Sequence, residues 1–366
     1  EVLTNSQIGG RRNLIINGAM QINQRGSVTF NHAETATANV YGCDRFQFQS
    51  SNLDELEGTL TQVADAPTGF TNSLKWTTTT KEDSIASDET FDCCQKIEAQ
   101  DLQQLLFGTS SAKKLTLRFY VKSSRTGTFG INVFKADSTA RQLTSTYTIS
   151  SADTWEEKTI IIPADTDSGA TIANDNGEGL RITWHLGTGS GFNSANTALT
   201  WTNYADAGWA YGHTENSVAT TVNATWQLTG VQLEVGEYNN PTPFEHRSFG
   251  DELALCQRYC FRINDNGTDN IQIGAGYYVT TTTCRAVVTF PVTMRGIPAV
   301  TTVDAALGIL RANVVDNSIT LSAVNNASVY STGLNIAGAA TDTIGEGIVL
   351  RLVNGNSGFL EAEAEL

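Results

Sequence analysis

Basic residues are scarce in this chain. Lys and Arg number 23 against 38 Asp and Glu, which gives a formal charge of −15 and an isoelectric point near 4.7. A surface of that sign repels phosphate backbones and anionic headgroups, so nucleic acid is not an expected partner and neither is a membrane surface. The same surface keeps a protein dispersed in water. Proline is scarce too, at 6 residues, so the chain is neither a polyproline rod nor a flexible linker. No apolar run approaches the roughly eighteen residues of a membrane span, and no membrane insertion is expected. Heptads, solenoid periods and a signal peptide are all missing, which excludes a coiled-coil or repeat-built shaft from this stretch. The first residue is Glu1 rather than Met, as expected for the distal part of a longer polypeptide or for a processed product.

Recognisable catalytic patterns are equally rare. A nucleophile elbow needs Gly-x-Ser-x-Gly, and the nearest string, GTGSGF at 187–192, has the wrong spacing. His32, His185, His213 and His246 lie far apart and form no HExxH-like metal pattern. Cys43, Cys93, Cys94, Cys256, Cys260 and Cys284 fit no zinc ribbon or finger. Cys256 and Cys260, four apart, would share a helix face, but no second close pair completes a site. The six read as small buried hydrophobes of a protein made in a reducing cytosol. Glycoside hydrolysis needs only two carboxylates at a suitable separation, which spacing alone does not pick out among 38 acids. No catalytic residue is assigned, and the protein is expected not to be an enzyme.

What is present is strand sequence. Gly is abundant at 32, and Thr, Ser and Asn are conspicuous, a mix that suits sheet surfaces and turns. A chain of 366 residues exceeds one ordinary core, so two domains are expected. Leu14, Ile15 and Ile16 predict a first strand, broken at the Asn17-Gly18 turn signal, with Met20 and Ile22 continuing it. Leu115, Leu117, Phe119 and Val121 alternate with polar neighbours, as do Phe129, Ile131 and Val133, and residues 123–128 between them predict a hairpin connection. Further strands are expected at 143–150, 156–164, 180–186 and 225–235, the last with a bulge near Thr229-Gly230. Leu102, Leu105 and Leu106 predict one short helix over 101–107.

A second helix is expected after Pro241 and Pro243, capped by Ser248 or Asp251, with Leu253, Cys256, Cys260 and Phe261 on its apolar face. Beyond it, strands are predicted at 271–280, 285–290, 299–303, 309–315, 319–324, 348–353 and 359–366. The last places Leu360, Ala362, Ala364 and Leu366 on one face and Glu361, Glu363 and Glu365 on the other, an acidic row read as a solvated face or as protection against edge pairing. The expected architecture is all-β: a connector (1–12), a jelly-roll sandwich (13–248), a linking helix (249–264) and a smaller C-terminal β-sandwich (265–366).

Two loops carry candidate ligand groups. Asp165, Asp167 and Asp175, in a stretch also rich in Asn and Gly, supply hard oxygen donors between two strands, and calcium could stiffen such a loop. The same residues are ordinary turn formers. Segment 196–213 carries Trp201, Tyr204, Trp209, Tyr211 and His213 among Thr, Asn and Asp. A sugar ring stacks its C–H face on an indole while its hydroxyls take polar partners, so Trp201, Tyr204, Trp209 and Tyr211 are candidate glycan contacts. Their alternative role is to cover the core or a subunit contact. Around 325–335 and 354–358, the C-terminal tip loops are candidates on position alone.

Residues 13–26, NLIINGAMQINQRG, and 229–260, TGVQLEVGEYNNPTPFEHRSFGDELALCQRYC, resemble the signature segments of bacteriophage tail-fibre and related virion adhesin proteins. Asp44-Arg45-Phe46, Lys96–Leu105, LTLRFYVKSS (115–124) and ADTWEEKTIIIPADT (152–166) are similar to further elements of that family. The resemblance covers roughly residues 13–262. It implies a carbohydrate-binding-like jelly-roll in a homotrimeric fibre, joined to upstream tail or virion proteins, with a distal domain facing the host. It implies a protein made in the host bacterial cytoplasm and carried on the virion, attaching to host surface glycan. A structural virion component, such as a head fibre or tail decoration, is the alternative, followed by a polysaccharide depolymerase. The family offers no consensus ligand residues to carry over.

Overall fold

The computed structural model describes residues 12–32, 39–193, 196–240, 242–265, 267–302, 307–311, 314–317, 319–337, 341–353 and 358–366. The connector expected over 1–12 therefore lies almost wholly outside the described residues, as do Pro241 and residues 354–357. The chain divides into two compact units, one reaching to Glu252 and including Leu366, the other spanning Leu253–Glu365. All described strand pairs are antiparallel, and the fold class is all-β.

In the N-terminal unit the strands are β1 (Val28–Asn31), β2 (Asn39–Tyr41), β3 (Gln47–Ser51), β4 (Glu57–Val63), β5 (Ser73–Thr80), β6 (Thr90–Glu98), β7 (Leu115–Ser123), β8 (Gly127–Lys135), β9 (Arg141–Ile149), β10 (Glu156–Ile162), β11 (Glu178–Thr188), β12 (Thr202–Asn203) and β13 (Thr225–Val235). One sheet has the order β1-β4-β5-β13-β7-β10 and the other β12-β9-β8-β11-β6-β3-β2, the two layers of a jelly-roll sandwich. Alternation builds them. In β7, Leu115, Leu117, Phe119 and Val121 are fully buried, while Arg118, Tyr120 and Lys122 face outward. The layers meet over a largely aromatic core. Trp76 lies edge-on to Phe30 at 5.5 Å and stacks on Phe48 at 5.7 Å, and Phe119 lies edge-on to Trp184 at 5.7 Å.

Three expectations change here. Residues 123–128 do not close a hairpin, because β7 pairs with β13 and β10, whereas β8 pairs with β9 and β11. The connection crosses between layers; alternation identifies strands but not their partners. Leu14–Ile16 form no strand. They follow an irregular path held by side chains: Asn13 Oδ1 accepts from Ile15 and Leu233 N–H, and Gln95 Oε1 accepts from Ile16 N–H at 2.9 Å. Asn17 at φ 61° and Met20 at φ 53° turn this path, and Gly18 is required because a Cβ there would lie 2.1 Å from the Val231 carbonyl oxygen. The helix expected over 101–107 is a 3-10 helix, Ala99–Leu105, ended by Leu106 at φ 52°. By contrast, β13 has the expected bounds and shifts register between Thr229 and Gln232.

Helix α1 (Ser217–Thr220) precedes β13, and helix α2 (Phe249–Gln257) follows it. Ser248 Oγ accepts from Asp251 N–H at 3.2 Å, the expected cap. This helix is shorter than expected, since Cys260 and Phe261 already belong to β14 (Cys260–Asn264). The C-terminal unit continues with β15 (Ile271–Tyr278), β16 (Cys284–Thr289), β17 (Ala299–Thr302), β18 (Leu307–Arg311), β19 (Val314–Asp316), β20 (Thr320–Asn325), β21 (Ser331–Ala337), β22 (Gly347–Leu352) and β23 (Phe359–Glu363). Its sheets are β19-β18-β22-β15-β16-β21-β20 and β14-β23-β17, enclosing Ile273, Val288, Ile309, Leu334, Leu350 and Leu360. The single strand expected over 309–315 is in fact the pair β18 and β19, and β21 was not foreseen. The acidic last strand is no edge. β23 lies between β14 and β17, and Glu361, buried, accepts from Arg262 Nη1 at 3.2 Å.

Candidate functional site

The seven-stranded sheet turns an unusually polar outer face away from the core. Cross-strand register lines up Thr144, Asn132, Thr183, Cys94 and Gln47 in one row, with His185 and Asp92 paired in the next. All of these residues are buried, and the described residues of segment 189–224, between β11 and β13, lie over the β9-β8-β11 part of that face. Asn132 Nδ2 donates to the Trp209 carbonyl at 2.8 Å, and Gln142 Nε2 donates to that of Ala205 at 3.1 Å. The β12 pair Thr202 and Asn203 adds itself to the free edge of β9.

Two histidines fasten the segment. His185 Nδ1 lies 2.6 Å from Asp92 Oδ1, and its Nε2 donates to the Trp209 carbonyl at 3.1 Å. His213 Nδ1 accepts from Gly130 N–H at 3.1 Å, so its Nε2 carries the proton and donates to Asn216 Oδ1. Burial, reinforced by His185, pushes His213 down to about 3. Gly130 must be glycine, since a Cβ would lie 2.9 Å from the His185 ring. Both histidines are buried and have their ring nitrogens on protein partners.

The four candidate aromatics separate accordingly. Trp209 is buried; it packs edge-on against Phe134 and His185, and its Nε1 reaches Asp92 Oδ2 at 3.4 Å. Tyr204 leans on Phe134 and Trp209 at the surface and donates its hydroxyl to Asp206; burial, then Asp206, pushes that hydroxyl up to about 12. Tyr211 is half-buried in the turn after Gly208. Trp201 lines a recess of about 370 Å³ between residues 163–167 and 199–201, with Arg141 in its lining. Its Nε1 donates to the Pro163 carbonyl at 2.8 Å, and its ring lies edge-on to Phe107 at 5.6 Å, so the indole is fixed before any ligand arrives. At the rim, Leu199 is 42% exposed with φ 57°, a left-handed backbone that a branched residue adopts only under strain.

Two of the three candidate calcium ligands meet at the same cleft. Asp165 is buried, and both its oxygens are taken by Arg141, through Nε and, at 3.0 Å, through Nη2. Asp167 Oδ1 accepts from Gly169 N–H at 2.8 Å, and its Oδ2 lies 3.6 Å from Arg141 Nη1. Asp175 stands apart, exposed, with its Oδ1 on Gly177 N–H. The cationic work in this loop is done by side chains. Lys135, wholly buried, donates to the carbonyls of Asp137, Gly169 and Thr171.

Among the described residues, the acids whose oxygens converge to within 4.8 Å are Asp54, Glu82 and Glu89, which sequence spacing did not single out. Glu82 Oε2 accepts from Asp54 and Glu55 N–H. Burial, then the nearby Glu82, Asp54 and Asp88 charges, pushes the Glu89 carboxyl up against the lowering effect of Ala86 N–H. Glu89 Oε2 likewise accepts from Ala86 N–H at 2.7 Å. All six cysteines are buried and unbridged; burial pushes Cys43 and Cys93 up strongly and Cys94 up to about 11, so none of these three is a thiolate nucleophile. No helix among the described residues is long and apolar enough to cross a membrane.

No known family matches this chain, and no curated protein matches it. Among solved structures it is similar to the enzymatically active domain of tailspike protein 4 of bacteriophage CBA120, at 11% identity and TM-score 0.31, over 61% of this chain and 21% of that one. The chain thus spans about a fifth of the tailspike's length. It is similar to the CBM22-1 xylan-binding domain of Paenibacillus barcinonensis Xyn10C, at 9% identity and TM-score 0.29, over 63% of this chain and 99% of that one. It is also similar to the family 11 carbohydrate-binding module of the Clostridium thermocellum cellulase Lic26A-Cel5E, at 12% identity and TM-score 0.29, over 59% of this chain and 98% of that one. Likenesses of this degree add nothing to the strand order and register that define the jelly-roll here.

Proposed function

We propose that this protein is a bacteriophage tail-fibre protein that attaches to host cell-surface glycan through the Trp201 cleft, without catalysing a reaction. The observation that carries this reading is the cleft itself: a fixed indole beside the hydroxyls of Thr166 and Thr200 and the exposed carboxylate of Asp167. An apolar ring face flanked by hydrogen-bonding groups is the chemistry a pyranose needs. Hydrolysis is disfavoured by the same geometry. A glycosidase sets two available carboxyl groups across the scissile bond, whereas Asp165 has both oxygens on Arg141 and Asp167 caps a turn.

Assembly as a homotrimer joined to tail or virion proteins follows the family resemblance of residues 13–26 and 229–260. Three copies would convert weak single-sugar contacts into avidity, so each cleft could bind weakly without loss of attachment. The test is binding of the purified protein to a panel of bacterial strains and their surface-glycan-deficient mutants. Binding should vanish with the glycan, and Trp201→Ala, measured below its own melting temperature on protein shown to be folded, should weaken it at least about ten-fold, about 1.4 kcal/mol per site. Binding to virion proteins but to no cells would move the protein to a structural role. Release of reducing ends from host polysaccharide would make it a depolymerase.

A further inference from the structure

We infer that the cleft takes uncharged sugar residues and rejects acidic ones, with Asp167 as the discriminating group. This rests on the glycan reading above and narrows it to a ligand class. The cleft lining includes a cation that is not available. Arg141 is only 7% exposed, and every guanidinium nitrogen is engaged by a protein oxygen. Nε and Nη2 hold Asp165, Nη2 also reaches the Trp201 carbonyl at 3.5 Å, and Nη1 donates to Asn203 Oδ1 at 3.0 Å. A ligand carboxylate or phosphate therefore meets no free fork of donors, the arrangement by which arginine clamps such groups. The other nearby cation, Lys135, is buried and given to three backbone carbonyls.

Against these two cations stand Asp137, Asp165 and Asp167, which leaves one negative charge unbalanced. Asp167 is the one placed to project it: its side chain is 53% exposed and lines the cleft. Its Oδ1 is occupied by Gly169 N–H; Oδ2, 3.6 Å from Arg141 Nη1, keeps a lone pair that can accept from a sugar hydroxyl. An acidic sugar would set a second anion beside it with no counter-charge to receive it. The whole-chain charge of −15 adds a field of the same sign.

Isothermal titration of the purified protein against matched hexasaccharides tests this. The neutral set contains glucose, galactose, mannose or N-acetylglucosamine, and the acidic set contains glucuronate, galacturonate or sialate. Binding should be confined to neutral probes, with acidic ones at least about ten-fold weaker at roughly 20 mM salt, and the gap should shrink several-fold near about 0.5 M as the repulsion is screened. Asp167→Asn keeps an oxygen for Gly169 N–H and should melt like the wild type. It replaces the accepting Oδ2 with an amide donor, so neutral probes should weaken as well, while acidic ones should come within about three-fold of them. The inference is overturned by a wild-type preference for acidic probes, by discrimination that salt leaves unchanged, or by discrimination that survives Asp167→Asn; in each case Trp201→Ala still reports on the glycan reading. Binding to neither set removes the glycan reading itself, and this inference with it.

Discussion

The two units fill their interiors with different side chains. The N-terminal sandwich packs Trp76, Trp184, Trp226 and six fully buried phenylalanines, among them Phe30, Phe48 and Phe119. Apart from Tyr278, the large C-terminal core is built from Ile, Leu, Val, Ala and Cys, and Tyr277 and Tyr330 stand exposed. Wide rings hold two layers together over a long sheet, and they leave room at its margin for a recess with a fixed indole. Aliphatic side chains interdigitate over shorter strands. An exposed aromatic is therefore informative only relative to its own unit: Trp201 is a ring held at the edge of a core already crowded with rings.

Three perturbations would sharpen or break this contrast. Trp76→Ala should cost the N-terminal unit about 3–5 kcal/mol, because the cavity left among Phe30, Phe48 and Phe91 closes poorly. Hydrogen exchange on the intact chain should show lost protection in β4, β5 and β13 and unchanged protection in β15, β16 and β22. Equal losses in both units would mean that they unfold as one. Next comes Arg141→Ala, which strands the buried Asp165 carboxylate and should cost about 3 kcal/mol in denaturant titration at neutral pH. A cost below about 1 kcal/mol would show that water reaches Asp165 freely.

The smallest effect is set by pH. All four histidines lie in the N-terminal unit. His213 titrates near 6.5 when unfolded but is held down to about 3 when folded, so the unfolded state binds the extra proton between those values. Stability from this group is intact above the unfolded value and is lost as pH falls below it, by about 2 kcal/mol between pH 7 and 5. Exchange protection in β8 and β11 should fall over that range, the C-terminal strands should change far less, and His213→Gln should flatten the slope. A slope of the same size in the histidine-free unit would falsify this assignment.

Sequence revealed the fold unevenly, for physical reasons. β7 and β13 were legible because one face is apolar and buried while the other meets water or polar partners. β6, TFDCCQKIE, is buried on both faces, and its outer residues Asp92 and Cys94 are polar or small, so no alternation marks it. Leu14–Ile16 misled in the opposite way, an apolar run that side-chain amides, not a ladder, hold in place. At the site, composition singled out Trp201 and Trp209 alike. Only the Asp92 and His185 partners, distant in the chain, put one inside and the other at the cleft. Arg141 left no trace, falling just outside the strand expected over 143–150, since its meaning depends on Asp165 across a chain reversal.

β13 pairs with β5 on one side and β7 on the other, so the middle of the six-stranded sheet is supplied by residues made long after both neighbours. During synthesis β5 and β7 must wait as open, apolar ladders with nothing between them. Closing that gap requires the whole intervening chain to loop back first, a slow step in which a second nascent copy could donate the missing strand instead. Yield of correctly assembled protein should therefore depend on translation speed and crowding at the ribosome more than on the final stability of the sandwich.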